Sequence, residues 1–231
     1  MAVVSKLHKL TELAKEKSSE RRRALLREVT NLFFDEAPAP ESAVQAQFDE
    51  VLQSLADQTA QDARVELARR FSDAPAAPRG LLLKLARDAI EVAGPILSRS
   101  GVLNEDDLVT IVHETGQDHM RAIATRDSVP ERVSSAIVEK GDSHTLSRLV
   151  RNEGARLSRE AFEQVTRRAE SSEMLQEPIT ERADTPPDLL NDLMMVVEST
   201  LRRKILTRFE SLEPGVLEAA LAASQQRLQT R

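Results

Sequence analysis

The sequence predicts an all-α fold in which short helical hairpins stack into an α-solenoid, a right-handed superhelix. Three observations predict it. The 231 residues contain no Trp, no Tyr and only 3% aromatics, poor material for a β core, whereas the abundant Ala, Leu, Arg and Glu favour helix. Apolar residues recur at three- and four-residue intervals, the signature of amphipathic helices. A four-residue pattern also returns every 26–30 positions, the period of stacked two-helix units.

The chain is long enough for one large domain or two small ones. One continuous domain is expected, with an N-terminal helical pair at 1–36, helical repeats at 41–185 and capping helices at 186–231. In the first part, Leu7, Leu10, Leu13 and Ala14 share one helix face, and Leu25, Val29, Leu32 and Phe33 share another. Ser18 and Ser19 offer N-caps for the second helix. Ala37-Pro38-Ala39-Pro40 ends it, because proline cannot continue the hydrogen-bond ladder, and marks a linker. Val44, Phe48, Val51, Leu52 and Leu55 then predict a helix over 41–56, and Ala63, Val65, Leu67, Ala68 and Phe71 predict the next.

From there a pattern repeats as Leu67-Ala-Arg-Arg70, Leu97-Ser-Arg-Ser100, Ile123-Ala-Thr-Arg126, Leu149-Val-Arg-Asn152 and Ile179-Thr-Glu-Arg182. The closing residues stand 30, 26, 26 and 30 positions apart. Pro75, Asn104, Pro130, Ser158 and Pro186 follow, at or near the next helix start, where Pro costs no needed donor and Asn or Ser caps free N–H groups. Residues 117–141 form the clearest single hairpin. One short hairpin cannot bury its apolar stripe alone, so neighbours must stack, with the recurring Leu or Ile as the buried contact. The closing positions Arg70, Ser100, Arg126, Asn152 and Arg182 are expected to be structural. The Arg and Asn among them are expected to bond the last carbonyls of their own helix and favour its negative end. Gly94-Pro95 is expected to break or kink a helix.

The stretch Ala86-Arg-Asp-Ala-Ile-Glu-Val-Ala-Gly-Pro-Ile-Leu97, with LARRFSDAP, SRSGVLNEDDL, AIATRDSVP and LVRNEGARLS, resembles an uncharacterised domain-of-unknown-function family found mainly in alphaproteobacteria. That family is related to HEAT-like and leucine-rich-repeat-variant α-solenoids, and the resemblance covers roughly residues 43–197. It implies a HEAT-like hairpin solenoid and no particular activity. Members are often longer at the C-terminus, so a short form or a piece of a longer chain is expected.

After Pro186-Pro187, Leu189, Leu190, Leu193, Met194, Val197, Leu201, Ile205 and Phe209 predict one helix of about five to six turns. A last helix from Pro214 to about Leu228 carries Val216, Leu217, Ala220 and Leu221. Capping the end of the core is the first role expected of these helices, and homodimerisation through the face from Met194 to Phe209 the second.

The absence of Cys removes disulfides, thiolate metal sites and a Cys nucleophile, and fits a cytoplasmic protein. The first seventeen residues carry charge where a secretion signal needs an apolar core, and the apolar runs are too short to span a bilayer. The net charge of −6 argues against a general trap for nucleic acid, although 25 of the 32 basic residues are Arg. Residues 1–28 carry a net +4, while residues 29–63 hold seven acids and no Lys or Arg. The two segments either pair within the fold or form two sides of an interface.

The candidate binding clusters are Arg21, Arg22 and Arg23, then Arg202, Arg203 and Lys204, with Arg167-Arg168 weighed beside them. His113-Glu114 and Asp118-His119 lack the spacing of a zinc helix, and Glu105-Asp106-Asp107 suits a helix N-terminus without any metal. No phosphate loop or nucleophile motif occurs. No catalytic residue, metal or cofactor is expected. The function expected is therefore a non-enzymatic protein–protein interaction scaffold or adaptor with an unidentified protein partner. The alternative is a nucleic-acid-binding or DNA-repair HEAT-like solenoid, which the missing stacking aromatics disfavour.

Overall fold

The computed structural model describes residues 18–229. The described residues form fourteen helices. In the first half these are α1 (Ser19–Glu36), α2 (Ala43–Asp57), α3 (Gln61–Phe71), α4 (Arg79–Leu85), α5 (Ile90–Arg99) and α6 (Glu105–Glu114). In the second they are α7 (Gln117–Ile123), α8 (Glu131–Lys140), α9 (Ser143–Arg151), α10 (Arg159–Ala169), α11 (Glu173–Glu181), α12 (Pro187–Leu193), α13 (Ser199–Glu210) and α14 (Pro214–Gln229). The helix expected around Leu7–Ala14 lies outside the described residues.

The chain divides into two compact units, 1–115 and 116–231. Within each, helices pack on their next and next-but-one neighbours. In the first unit α1 packs on α2 and α3, α2 on α4, and α3 on α4 and α5. In the second, α7 packs on α9, α9 on α11 and α11 on α13, while α8 packs on α10, α10 on α12 and α12 on α14. From α1 to α5, and again from α7 to α14, odd-numbered helices therefore stack in one layer and even-numbered helices in another.

Local chemistry sets the helix ends. Side chains of Ser18, Ser42, Asp142 and Ser158 accept from the first free N–H groups of α1, α2, α9 and α10. Asn104 and Asp107 form a reciprocal capping box at α6. Ala37 closes α1 in the left-handed region at φ 41°, and Pro38 follows at once. The recurring apolar position is buried in α3, α5, α7, α9 and α11: Leu97, Ile123, Leu149 and Ile179 are fully buried and Leu67 nearly so. In the first unit Phe33, Phe34, Phe48 and Phe71 add a ring cluster with neighbouring centroids 5.0–5.5 Å apart.

Three local expectations change. α4 starts at Arg79, capped by Pro78 rather than Pro75. Gly94-Pro95 does not break α5, which runs unbroken from Ile90 to Arg99. Val92, Ala93, Ile96 and Leu97 on one face are all buried, and that packing outweighs the one lost backbone bond; α11 likewise contains Pro178. The single long helix after Pro187 is two helices, α12 and α13. The chain turns at residues 194–198, where the Arg202 guanidinium holds the carbonyls of Met194 at 2.9 Å and Val197 at 3.2 Å.

The loops of adjacent hairpins are tied in the second unit. Val129 N–H donates to Gly154 and Arg156 N–H donates to Val129, each at 3.0 Å, making the one isolated parallel bridge among the described residues, Val129 with Ala155. A Cβ on Gly154 would lie 1.9 Å from the Asp127 carbonyl oxygen. Only glycine permits the approach.

Candidate functional site

The residues that close each repeat build a polar ladder in the second unit. Nδ2 of Asn152 donates to the carbonyls of Ala124 at 2.8 Å and Arg126 at 2.7 Å. One repeat later, the Arg182 guanidinium donates to Val150 at 3.1 Å, Asn152 at 2.7 Å and Ala155 at 2.5 Å. One repeat beyond that, Arg208 donates to Thr180 at 3.1 Å, Arg182 at 3.0 Å, Ala183 at 2.9 Å and Thr185 at 3.3 Å. These carbonyls lie at and just past the C-termini of α7, α9 and α11, where helical acceptors run out of partners and the dipole is negative.

The carbonyls belong to the preceding hairpin, not to the residue's own helix as expected. Asn152 and Arg182 are C-cap residues whose backbone has already turned extended, so their side chains leave the path of their own helix and reach the neighbouring hairpin. Burial pulls the basicity of Arg208 and Arg126 below that of free guanidinium, with the charges of Asp184 and Asp127 opposing it.

The earlier positions differ. Arg70 donates to the Asn31 side chain at 2.8 Å and lies over the Phe34 ring. Ser100 is fully buried and its hydroxyl accepts from Val102 N–H at 3.3 Å. Arg208 was not among the expected repeat positions, yet Ile205-Leu-Thr-Arg208 matches the pattern and stands 26 positions after Arg182. The assumption of one long helix hid it.

The candidate binding clusters are largely engaged in the fold. Arg23 pairs with Asp62 at 2.5 Å and Arg27 with Glu66 at 2.8 Å, joining α1 to α3; the first of these pairs links the basic segment 1–28 to the last acid of the segment 29–63. Arg21 and Arg22 also have partners. Arg202 holds the α12–α13 turn, Lys204 pairs with Glu181, and Arg168 donates to the Gly141 carbonyl at 2.7 Å. Arg203 is exposed and carries no ion pair or side-chain hydrogen bond among the described residues. Of the face expected to dimerise, Val197, Ile205 and Phe209 are buried within the chain, whereas the adjoining Met195, Val196 and Leu206 are exposed.

A different surface remains open. A groove of about 520 Å³ runs over α7, α9 and α11, lined by Arg121, His144, Ser147, Arg148, Arg151 and Met174, with Ala124, Thr125 and Asn152 beside the α7 and α9 ends. None of these side chains is acidic. Arg121 is held by Asp118 at 2.6 Å and Asp142 at 3.2 Å, and Arg151 by Glu177 at 2.6 Å. The side chains of Arg148 and His144 are exposed and unpaired among the described residues. Sequence reading missed the groove because its members are scattered from 121 to 174 and meet only through the stacking of odd helices.

Among the described residues no group of three or more His, Asp and Glu is placed to hold a metal ion. No helix among the described residues is long and apolar enough to cross a membrane.

A family model described as "Uncharacterised protein conserved in bacteria (DUF2336)" matches residues 92–231. The chain belongs to this family. No curated protein and no solved structure matches it. The DUF2336 match takes in the repeat-closing positions from Ser100 to Arg208 and every residue lining the groove.

Proposed function

We propose that this DUF2336 chain is a non-enzymatic interaction scaffold of the cytoplasm, each of its units a stretch of right-handed, HEAT-like solenoid that presents a protein-binding surface. One observation carries the reading. The ladder from Asn152 through Arg182 to Arg208 uses its polar groups to fix one hairpin on the next, while the same helix row keeps an open groove in which Arg148 has no partner among the described residues. A row of stacked short helices that carries an open groove suits holding a partner segment in place.

The engagement of Arg23, Arg168, Arg202 and Lys204 within the fold favours this over a nucleic-acid-binding solenoid, which needs such cations free for phosphate. The test is capture of the tagged full chain after crosslinking in living bacteria, followed by mass spectrometry. A reproducible, saturable protein partner is expected. Capture of nothing above an unrelated tagged control would overturn the reading.

A further inference from the structure

The groove has a charge pattern that specifies its occupant. We infer that it binds a short acidic segment of a partner protein, with carboxylates set against Arg148 and its neighbouring cations and an apolar side chain set against Met174. The inference rests on the interaction-scaffold reading and adds the partner's chemistry. His144, Arg148 and Arg151 lie along α9 at spacings that place them on one side of a helix, and Arg121 of α7 joins them on the groove wall. Arg121 and Arg151 are positioned by their own acids, whereas Arg148 has no counter-charge among the described residues. An unpaired guanidinium in an open groove is a ready partner for a carboxylate fork. At the α11 side, Met174 is 42% exposed, an adaptable apolar contact suited to a leucine-like side chain.

An acidic peptide fits better than nucleic acid. A chain of net charge −6 without Trp or Tyr repels an extended polyanion and offers few faces for base stacking. The groove's volume suits a few residues of peptide, and complementary charge sets both partner choice and encounter rate.

The experiment uses the full chain and a fluorescein-labelled peptide of Asp and Glu around a single Leu, with its Asn/Gln counterpart and a labelled DNA duplex as competing probes. Anisotropy is read at about 50 and 200 mM salt. The acidic peptide is expected to bind, to weaken with salt, and to lose about tenfold in affinity in Arg148→Glu. Arg167→Glu, an exposed cation on α10 outside the groove, should leave binding unchanged, and Met174→Ala should weaken it at both salt concentrations. Equal binding of the Asn/Gln peptide, preference for the duplex, or insensitivity to Arg148→Glu would overturn the inference. The same Arg148→Glu chain in the crosslinking capture separates the two ideas. If it retains the wild-type partner, the groove assignment falls and the scaffold reading stands; if neither chain captures a partner, the scaffold reading falls.

Discussion

Arg208 donates from Nη1 to the carbonyl oxygen of Arg182 at 3.0 Å, and Arg182 in turn donates to the carbonyl of Asn152 at 2.7 Å. Asn152 and Arg182 are thus each a donor to the hairpin before and an acceptor for the element after, and Arg208 ends the series as a donor. Stability in stacked hairpins is largely a sum of nearest-neighbour interfaces, and this relay places a hydrogen-bonded link in successive interfaces of the second unit. Its members differ in burial, which grades what their loss should cost.

Arg182 is the most buried link, its side chain 4% exposed. Arg182→Ala leaves three carbonyls, those of Val150, Asn152 and Ala155, without this donor. A loss of about 2–4 kcal/mol is expected in urea unfolding. Arg208→Ala, at a half-buried position, should cost about 1 kcal/mol. Arg182→Lys should recover only part of the loss, because an ammonium cannot fork to three fixed acceptors. A cost for Arg182→Ala below that of Arg208→Ala would refute this grading.

Much of this architecture is legible in the sequence, and the misses have physical causes. Helix content follows from composition and apolar spacing, and Leu97, Ile123, Leu149 and Ile179 are buried where the period places them. The turn after Leu193 was invisible because Met194 to Val197 continue an apolar pattern as well as a helix would; tertiary bonds from Arg202 to Met194 and Val197 decide it. Periodicity identifies which residues recur but not which helix they serve, so the ladder's direction needed coordinates. The groove depends on which helices become neighbours, and one-dimensional spacing does not carry that information.

Asn152 offers a sharper test because its amide is matched to two acceptors. Nδ2 donates to Ala124 and Arg126 while Oδ1 accepts from Gly154 N–H at 2.9 Å. Asn152→Ala should cost about 1–2 kcal/mol. Asn152→Asp keeps the shape but turns a carboxylate oxygen toward two carbonyls, so it should be the worse variant at neutral pH. Acidification below its pKa restores a proton on the side chain, and the gap between the variants should narrow. Equal destabilisation at pH 7 would show that the amide does not face those carbonyls.

Gly154 and Gly101 separate close approach from generic glycine effects. A Cβ at Gly154 meets the Asp127 carbonyl oxygen at 1.9 Å, whereas one at Gly101 meets nothing within 4 Å. Gly154→Ala must push apart the loops that Val129 and Arg156 join and should cost about 2–3 kcal/mol. Gly101→Ala should be neutral or slightly stabilising through the unfolded chain. Thermal melts of the two variants in parallel check this, and similar shifts in both would mean the Asp127 contact yields easily.

Acid sensitivity should trace in part to Asp188 on α12. Burial pushes its carboxyl up, but hydrogen bonds and charge from Arg159 and Arg227 outweigh this and hold it below the ordinary carboxylate value. Both guanidinium contacts are 2.5 Å. Arg159 also pairs with Glu163, and Arg227 also holds Asp192, so the carboxylate sits in a small charge network at α10, α12 and α14. A depressed folded-state pKa means that the stabilisation is present above the unfolded value of about 3.9 and is lost as pH falls through the folded one. The difference in unfolding free energy between wild type and Asp188→Asn should therefore stay constant from about pH 7 to 5 and shrink below about pH 4. Glu66, Asp88 and Asp142 are also held below their ordinary values, so both chains lose stability in acid; the diagnostic is the shrinking gap between them. A gap that persists undiminished at pH 3 would mean that the ionised carboxylate contributes nothing and that Asp188 acts through packing alone.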